Sequence, residues 1–341
     1  MLRDLQLRNF RCFEATAVEF GPGFTFIVGA NGRGKTTLLE AACVLLRLQS
    51  QRSSSLAPAV RLGQRSFLLA GHVDEHLLQF FYSPLRRKLA FDGLEQRDQA
   101  EYLQFVRVVS FANHDLDLIR GPAEIRRRYL DFVGTQTDAR YRPALRSYER
   151  ALRSRNALLK STHPRPRELA AYTEPLLRAG TSLRALRAEL VRRLAPSAAA
   201  SQRAIGGGNE SLVLEYAPGC EEDFAAHLAQ RRAEEERLRL TTVGPHRDDL
   251  RLQVENMPAA QFASEGQQRT SALALKLAQA ALFMADAAAP PLLLIDDIFG
   301  ELDAERRNAL LRHLPNESQK LVTATSLAWR EGDLEGPVLQ L

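Results

Sequence analysis

The chemistry of this chain starts at Gly29, Ala30, Asn31, Gly32, Arg33, Gly34, Lys35 and Thr36, the run GANGRGKT. It fits the phosphate-loop pattern G-x-x-x-x-G-K-[ST] at every position. Glycines at 29, 32 and 34 let the backbone curl until successive N–H groups face inward, and the helix that follows adds its positive end to the same anion site. Such a nest accepts a triphosphate. Lys35 can reach the terminal phosphates as a point charge, and the Thr36 hydroxyl can ligate the Mg²⁺ that bridges them.

The flanks must then be a strand and a helix. Phe24 to Val28 (FTFIV) reads as a short buried strand and Thr37 to Leu48 as an apolar helix, giving strand, loop and helix in the required order. A partner carboxylate is expected at the end of another buried strand. Leu292 to Ile295 (LLLI) is fully apolar and is followed at once by Asp296 and Asp297. Consecutive strand residues point to opposite faces, so the two carboxylates should have different roles. One can hold Mg²⁺, directly or through water; the other, where the chain turns, can orient or deprotonate the attacking water.

Ser264 to Arg269 (SEGQQR) opens a helix whose apolar face is Leu273, Leu277, Ala281 and Met284. Ser264 with Gln267 three residues on fits a capping box. Ser264, Gly266 and a helix N-terminus also make a second anion site. The chain has one phosphate loop, so a second site for the same nucleotide would require two copies to meet face to face.

The 341 residues, 45% hydrophobic, suffice for two domains or one with an insertion. No apolar run approaches the roughly 18 to 20 residues of a membrane span, and MLRDLQLRNF has charges where a signal peptide would be apolar, so a cytoplasmic location is expected. Cys12, Cys43 and Cys220 are far apart and form no C-x-x-C pair, which argues against a disulfide framework or zinc site and for buried thiols. The net charge of +5 and pI of about 9.3 suit a phosphate-rich partner. Only five of the 46 basic residues are lysine, a skew that a coding bias toward arginine also produces.

Segments 66–73, 76–82 and 88–91, the last ahead of Asp92-Gly93, have the pattern of antiparallel hairpins, and 105–111 (FVRVVSF) that of a buried strand. From Glu124 to about Ser201 helix formers and arginines dominate, broken at 161–167, with a second helix pair expected over 168–194 and a charged helix over 221–238. No heptad pattern is sustained over several repeats, which excludes a long coiled coil.

Together these motifs resemble an ABC-type ATPase head: phosphate loop at 29–36, signature at 264–268, acidic strand end at 292–297, and Glu301-Leu302-Asp303 as a D-loop. More closely, LQLRNFRCFE, GANGRGKTTLLEA, IRGPAEIRRRYLD (119–131), GPHRDDL (244–250), ASEGQQRTSALALKLA and LLLIDDIFGELD resemble, in order and spacing, blocks of the RecF family of bacterial recombination-repair ATPases. The resemblance implies an α/β fold: an ABC-type P-loop head with a mixed and an antiparallel sheet over residues 1–118 and 240–341, and an inserted, mainly helical arm over 119–239. It implies that ATP is bound by residues 29–36 and Thr37, that Asp296 with Thr36 is on the Mg²⁺ side, and that Asp297 is hydrolytic. Ser264, Gly266 and Gln267 would complete the partner subunit's site, with Asp303 near that interface. The implied activity is slow ATP hydrolysis by a protein that dimerises on ATP, binds duplex DNA beside single-strand gaps, and works with RecR and RecO to load RecA. Thr37 departs from a position where the family often has Asn, and FANHDL (111–116) from a usual Pro-Glu-Asp segment. The switch histidine of transporters is missing; Thr323 and Thr325 are the polar residues there. A transporter subunit shares the general motifs, but the altered signature SEGQQ and the long helical insertion stand against it; an SMC-like repair head is interrupted by a very long coiled coil that this chain cannot contain.

Overall fold

Short runs buried along nearly their whole length, without in–out alternation, are strands covered on both faces. Four of them, with Val338–Gln340, form a parallel sheet in the order Val338–Gln340, Phe24–Val28, Lys320–Ala324, Leu292–Asp296, Val108–Ala112. The computed structural model describes all residues except 54, 97–98, 104, 162–165, 209, 287–288 and 331–333; the expected break at 161–167 lies largely outside the described residues.

Register decides what this sheet can do. Asp296 pairs with Thr323 on one side and Ala112 on the other, while Val28 pairs with Ala324. The carboxyl ends of four strands therefore finish at one edge, where ligands of open α/β sheets bind. The strand Lys320–Ala324 separates the phosphate-loop strand from the acidic strand. A second, six-stranded sheet is wholly antiparallel, in the order Phe13–Glu19, Asp4–Phe10, Phe67–Val73, His76–Tyr82, Arg87–Phe91, Leu94–Gln96. Asp92 and Gly93, both at positive φ, make the expected tight turn between its last two strands. The helix Lys35–Arg47 touches strands of both sheets, and every residue except Thr36 is buried, as its apolar sequence requires.

These elements form one compact unit, Met1–Asp115 with Gln279–Leu341; the other is Leu116–Ala278. Residues 240–278, expected with the head, group by their contacts with the helical unit. The reason is pairing: Asp249–Val254 runs antiparallel to Leu212–Ala217 over six residues, and Arg126 grips Asp249 through two nitrogens at 2.7 and 3.0 Å.

Two corrections concern the helical unit. Instead of a helix pair over 168–194 there is one helix, Pro166–Ile205, which runs through Pro175 and Pro196. Buried Leu169, Leu176, Leu183 and Leu190 recur every seven residues along it, a short seam within one helix. The helix packs against Tyr141–Leu159, whose Tyr141 and Tyr148 are buried with the same spacing. The charged segment 221–238 is two short helices, Phe224–Gln230 and Arg232–Leu238, rather than one. Among the described residues no helix is long and apolar enough to cross a membrane.

Candidate nucleotide site

Gly34 sits at φ +98°, and a Cβ there would lie 2.6 Å from the Phe13 ring, so the loop needs glycine at this position. Asn31, Gly32, Gly34, Lys35, Thr36 and Thr37 line a cavity of about 700 Å³ together with Asp297. The Lys35 ammonium donates to the carbonyls of Gly29 at 2.7 Å and Ala30 at 3.1 Å, and the Arg33 amide to Ala30 at 3.4 Å. Lys35 is thus folded onto its own loop, in reach of whatever the loop holds.

The acidic strand end comes to this loop through one hydroxyl. Thr36 donates to Asp296 Oδ1 at 2.9 Å, and Thr323, on the intervening strand, donates to the same oxygen at 2.7 Å. The Asp297 amide bonds Thr323 twice, to its carbonyl at 3.2 Å and to its hydroxyl at 3.0 Å. Asp297 itself turns out of the strand at φ +51°, a conformation that costs a non-glycine residue about 1 kcal/mol or more. That turn gives the two neighbouring carboxylates their different surroundings. Burial raises the Asp297 pKa above the ordinary carboxylate value; Lys35 opposes this, Asp296 and Glu301 reinforce it, and the Thr325 backbone amide donates to the carboxylate and opposes it.

The donors suit Mg²⁺. Thr36 and Asp296 offer hard oxygens within hydrogen-bond distance of each other beside a phosphate nest, and among the described residues no cluster of three His, Cys, Asp or Glu competes for a metal. Mg²⁺ is usually held by one or two carboxylates with waters and phosphates rather than by an all-protein cage.

Sequence reasoning did not single out the opposite wall of the cavity. Glu40, 2% exposed on the phosphate-loop helix, takes Arg11 in a bidentate pair at 2.6 and 2.9 Å, accepts from Ser50 at 2.5 Å, and has Arg52 at 3.6 Å. Arg11 and Arg52 both line the cavity. Glutamate inside an apolar helix was the available signal. Cys12 is a correction: it is exposed and lines the cavity, while Cys43 and Cys220 are buried as expected. At 111–116, Asn113 donates to Glu301 at 2.6 Å and Asp115 accepts from the Ala112 amide at 2.7 Å.

Ser264, Gly266 and Gln267 belong to the other unit. The capping box is formed there: the Ser264 amide donates to Gln267 Oε1 at 2.9 Å and the Gln267 amide to Ser264 Oγ at 3.2 Å. Beneath it, buried Gln268 is gripped by Arg120 and donates to the carbonyls of Ala259 at 3.1 Å and Ala263 at 3.0 Å, fixing the approach to the helix. Asp303 caps Ala304–His313, accepting from the amide and guanidinium of Arg306, each at 2.8 Å.

In the same unit, the blocks RRRYLD and GPHRDDL join in one buried lattice. Arg187 donates to Asp131 at 2.8 Å, to Asp248 at 2.7 Å and to the Pro245 carbonyl at 2.6 Å, and Tyr216 donates to Asp248 at 2.6 Å. Arg126 is held by Asp249 and Arg127 by the Asp248 carbonyl at 2.8 Å; Arg128 is exposed.

The pattern of the RecF/RecN/SMC N terminal domain matches residues 1–329. The DNA replication and repair protein RecF of Synechococcus sp. (strain JA-2-3B'a(2-13)) is 37% identical over 347 residues, 96% of this chain and 91% of the relative. The chain belongs to the RecF family. The RecF of Symbiobacterium thermophilum is 36% identical, across 96% of this chain and 92% of its own. A solved structure of the recombination mediator protein RecF-ATP in the RecFOR pathway superposes with a TM-score of 0.88 at 28% identity, covering 98% of this chain and 93% of the other. The Smc head domain of Pyrococcus furiosus, at 17% identity and a TM-score of 0.52, shares the fold alone. The RecF architecture is thus that of an ABC/SMC-like ATPase head with a helical insertion.

Proposed function

We propose that this RecF family protein is an ATPase of DNA replication and recombinational repair, which uses ATP to close two copies on duplex DNA beside single-strand gaps and hydrolyses it slowly to let go. The observation that carries the reading is the contact of Thr36 with Asp296, bridged by Thr323, next to an Asp297 held apart from them. The amides of residues 29–36 bind the phosphates of ATP. Lys35 leaves its carbonyls for the terminal phosphates. Thr36 and Asp296 would hold Mg²⁺, which would neutralise phosphate charge. Asp297 orients a water and takes its proton as the water oxygen bonds to the terminal phosphorus and the bond to ADP breaks. Ser264, Gly266 and Gln267 of a second copy close over the same nucleotide, with Asp303 near that junction.

Relatives named for replication, repair and the RecFOR pathway support RecR and RecO as companions; DNA as the ligand and RecA as the protein loaded belong to the proposal. ATP turnover with and without gapped duplex DNA tests the reading. Mg²⁺-dependent hydrolysis that DNA accelerates supports it; hydrolysis indifferent to DNA would point to the alternative, an ABC-type ATPase with another task.

A further inference from the structure

The two most exposed large apolar side chains among the described residues are Leu62, 97% exposed, and Leu85, 99% exposed. They come from different loops of the same unit and face one groove of about 720 Å³, whose walls include Val60, Phe81 and Pro84. Leu85 tops the turn Ser83–Arg86, which is closed by reciprocal backbone hydrogen bonds of 2.8 and 3.2 Å, so it is held out rather than frayed. With Val60, Phe81 and Pro84 the two leucines form an apolar patch rimmed by polar residues, the composition of an interaction surface.

The charge of the rim narrows the partner. Arg61 and Arg65 line the groove and none of its lining residues is acidic; Arg86 and Arg87 are exposed on the adjoining turn. Among the described residues, the ion pair at the rim joins Arg61 to Glu14, a side chain 78% exposed, at 3.2 Å. A phosphate backbone would satisfy the arginines and leave the apolar walls in water. We infer that this groove docks a protein segment in which carboxylates alternate with large apolar side chains.

The groove also shares Val60 and Leu62 with the nucleotide cavity. An occupant therefore touches the wall against which nucleotide packs, and each ligand should alter the affinity of the other by the same factor. This coupling, unlike the groove itself, rests on the nucleotide reading.

Fluorescence anisotropy without nucleotide, with a short labelled peptide alternating Asp with Leu and Phe, tests the groove independently of the ATPase. The peptide should bind saturably, and its counterpart with Lys for Asp should not. Leu85→Asp and Arg65→Glu should each weaken binding about tenfold or more with unchanged melting temperature. Equal binding of the Lys peptide, no saturable binding, or unchanged affinity in both variants would overturn the inference. So would a duplex oligonucleotide that displaces the peptide from the parent and itself loses affinity in both variants, since the groove would then be a DNA contact.

Discussion

Asp296 and Asp297 are adjacent in the chain, yet one shares an oxygen between two threonine hydroxyls while the other bends back at positive φ beside Lys35. Asp297→Asn keeps shape and removes the proton acceptor, so ATP binding should persist while kcat falls by about 10² or more. Lys35→Ala should lose nucleotide affinity instead; equal binding defects in the two variants would contradict these roles. The pH profile follows from the raised Asp297 pKa. A protonated carboxyl cannot accept a proton, so kcat should fall as pH drops through a value above that of an ordinary aspartate, and this acid limb should vanish in Asp297→Asn. The loop and both aspartates were legible because their spacing is dictated by phosphate and metal. Thr323 was legible only as a polar residue at the switch position. Its part depends on which strand lies between the two motifs, and strand order is absent from local sequence.

At the scale of elements, the buried lattice of Arg187, Asp131 and Asp248 ties the long helix to both family-specific blocks. Asp248→Ala would leave Arg187, 3% exposed, with one of its two carboxylate partners, Asp131, and should destabilise by about 3–5 kcal/mol in denaturant titration. His246 lies in the same block, accepting from Tyr148 at 2.6 Å and donating to the Thr241 carbonyl at 2.9 Å, and burial pushes its pKa down to about 4. Because the unfolded chain binds this proton at a higher pH than the folded one, the contribution is intact above the unfolded value of about 6.5 and is lost as pH falls toward 4. The loss is on the order of 3 kcal/mol, and His246→Gln should flatten stability across that window. The strands at 24–28, 108–112 and 292–296 could be read because burial on both faces leaves them mostly apolar and without alternation; Lys320–Ala324, with Lys320 and Thr323 in it, could not. The helix Pro166–Ile205 could not, since Pro175 and Pro196 are breakers by local preference and only packing of the seven-residue leucine seam carries the helix through them. The run Arg126–Arg128 reads equally as part of a basic DNA groove and as internal anchors; Arg126 and Arg127 are anchored, by acceptors at 249 and 248 that are remote in sequence.

For the whole molecule, DNA affinity should fall steeply with salt, and Arg128→Ala, which touches no buried lattice, should reduce the log–log slope by about one if it meets a phosphate. Dimer closure is the larger claim: the chain has one phosphate loop, and the proposal gives Ser264, Gly266 and Gln267 to the loop of a second copy. Ligand binding favours the closed dimer only by its greater affinity for that form, so a non-hydrolysable ATP analogue should drive association and ADP should not. Ser264→Arg puts a bulky cation into the proposed second half-site; losing the cap costs about 1 kcal/mol, too little to unfold the helix Glu265–Asp286. Sedimentation velocity of the parent and this variant with the analogue tests the account most directly. The parent should shift to dimer, and Ser264→Arg should remain monomeric while still binding nucleotide. Dimerisation of Ser264→Arg as complete as that of the parent would contradict the shared site and leave SEGQQR as a helix cap.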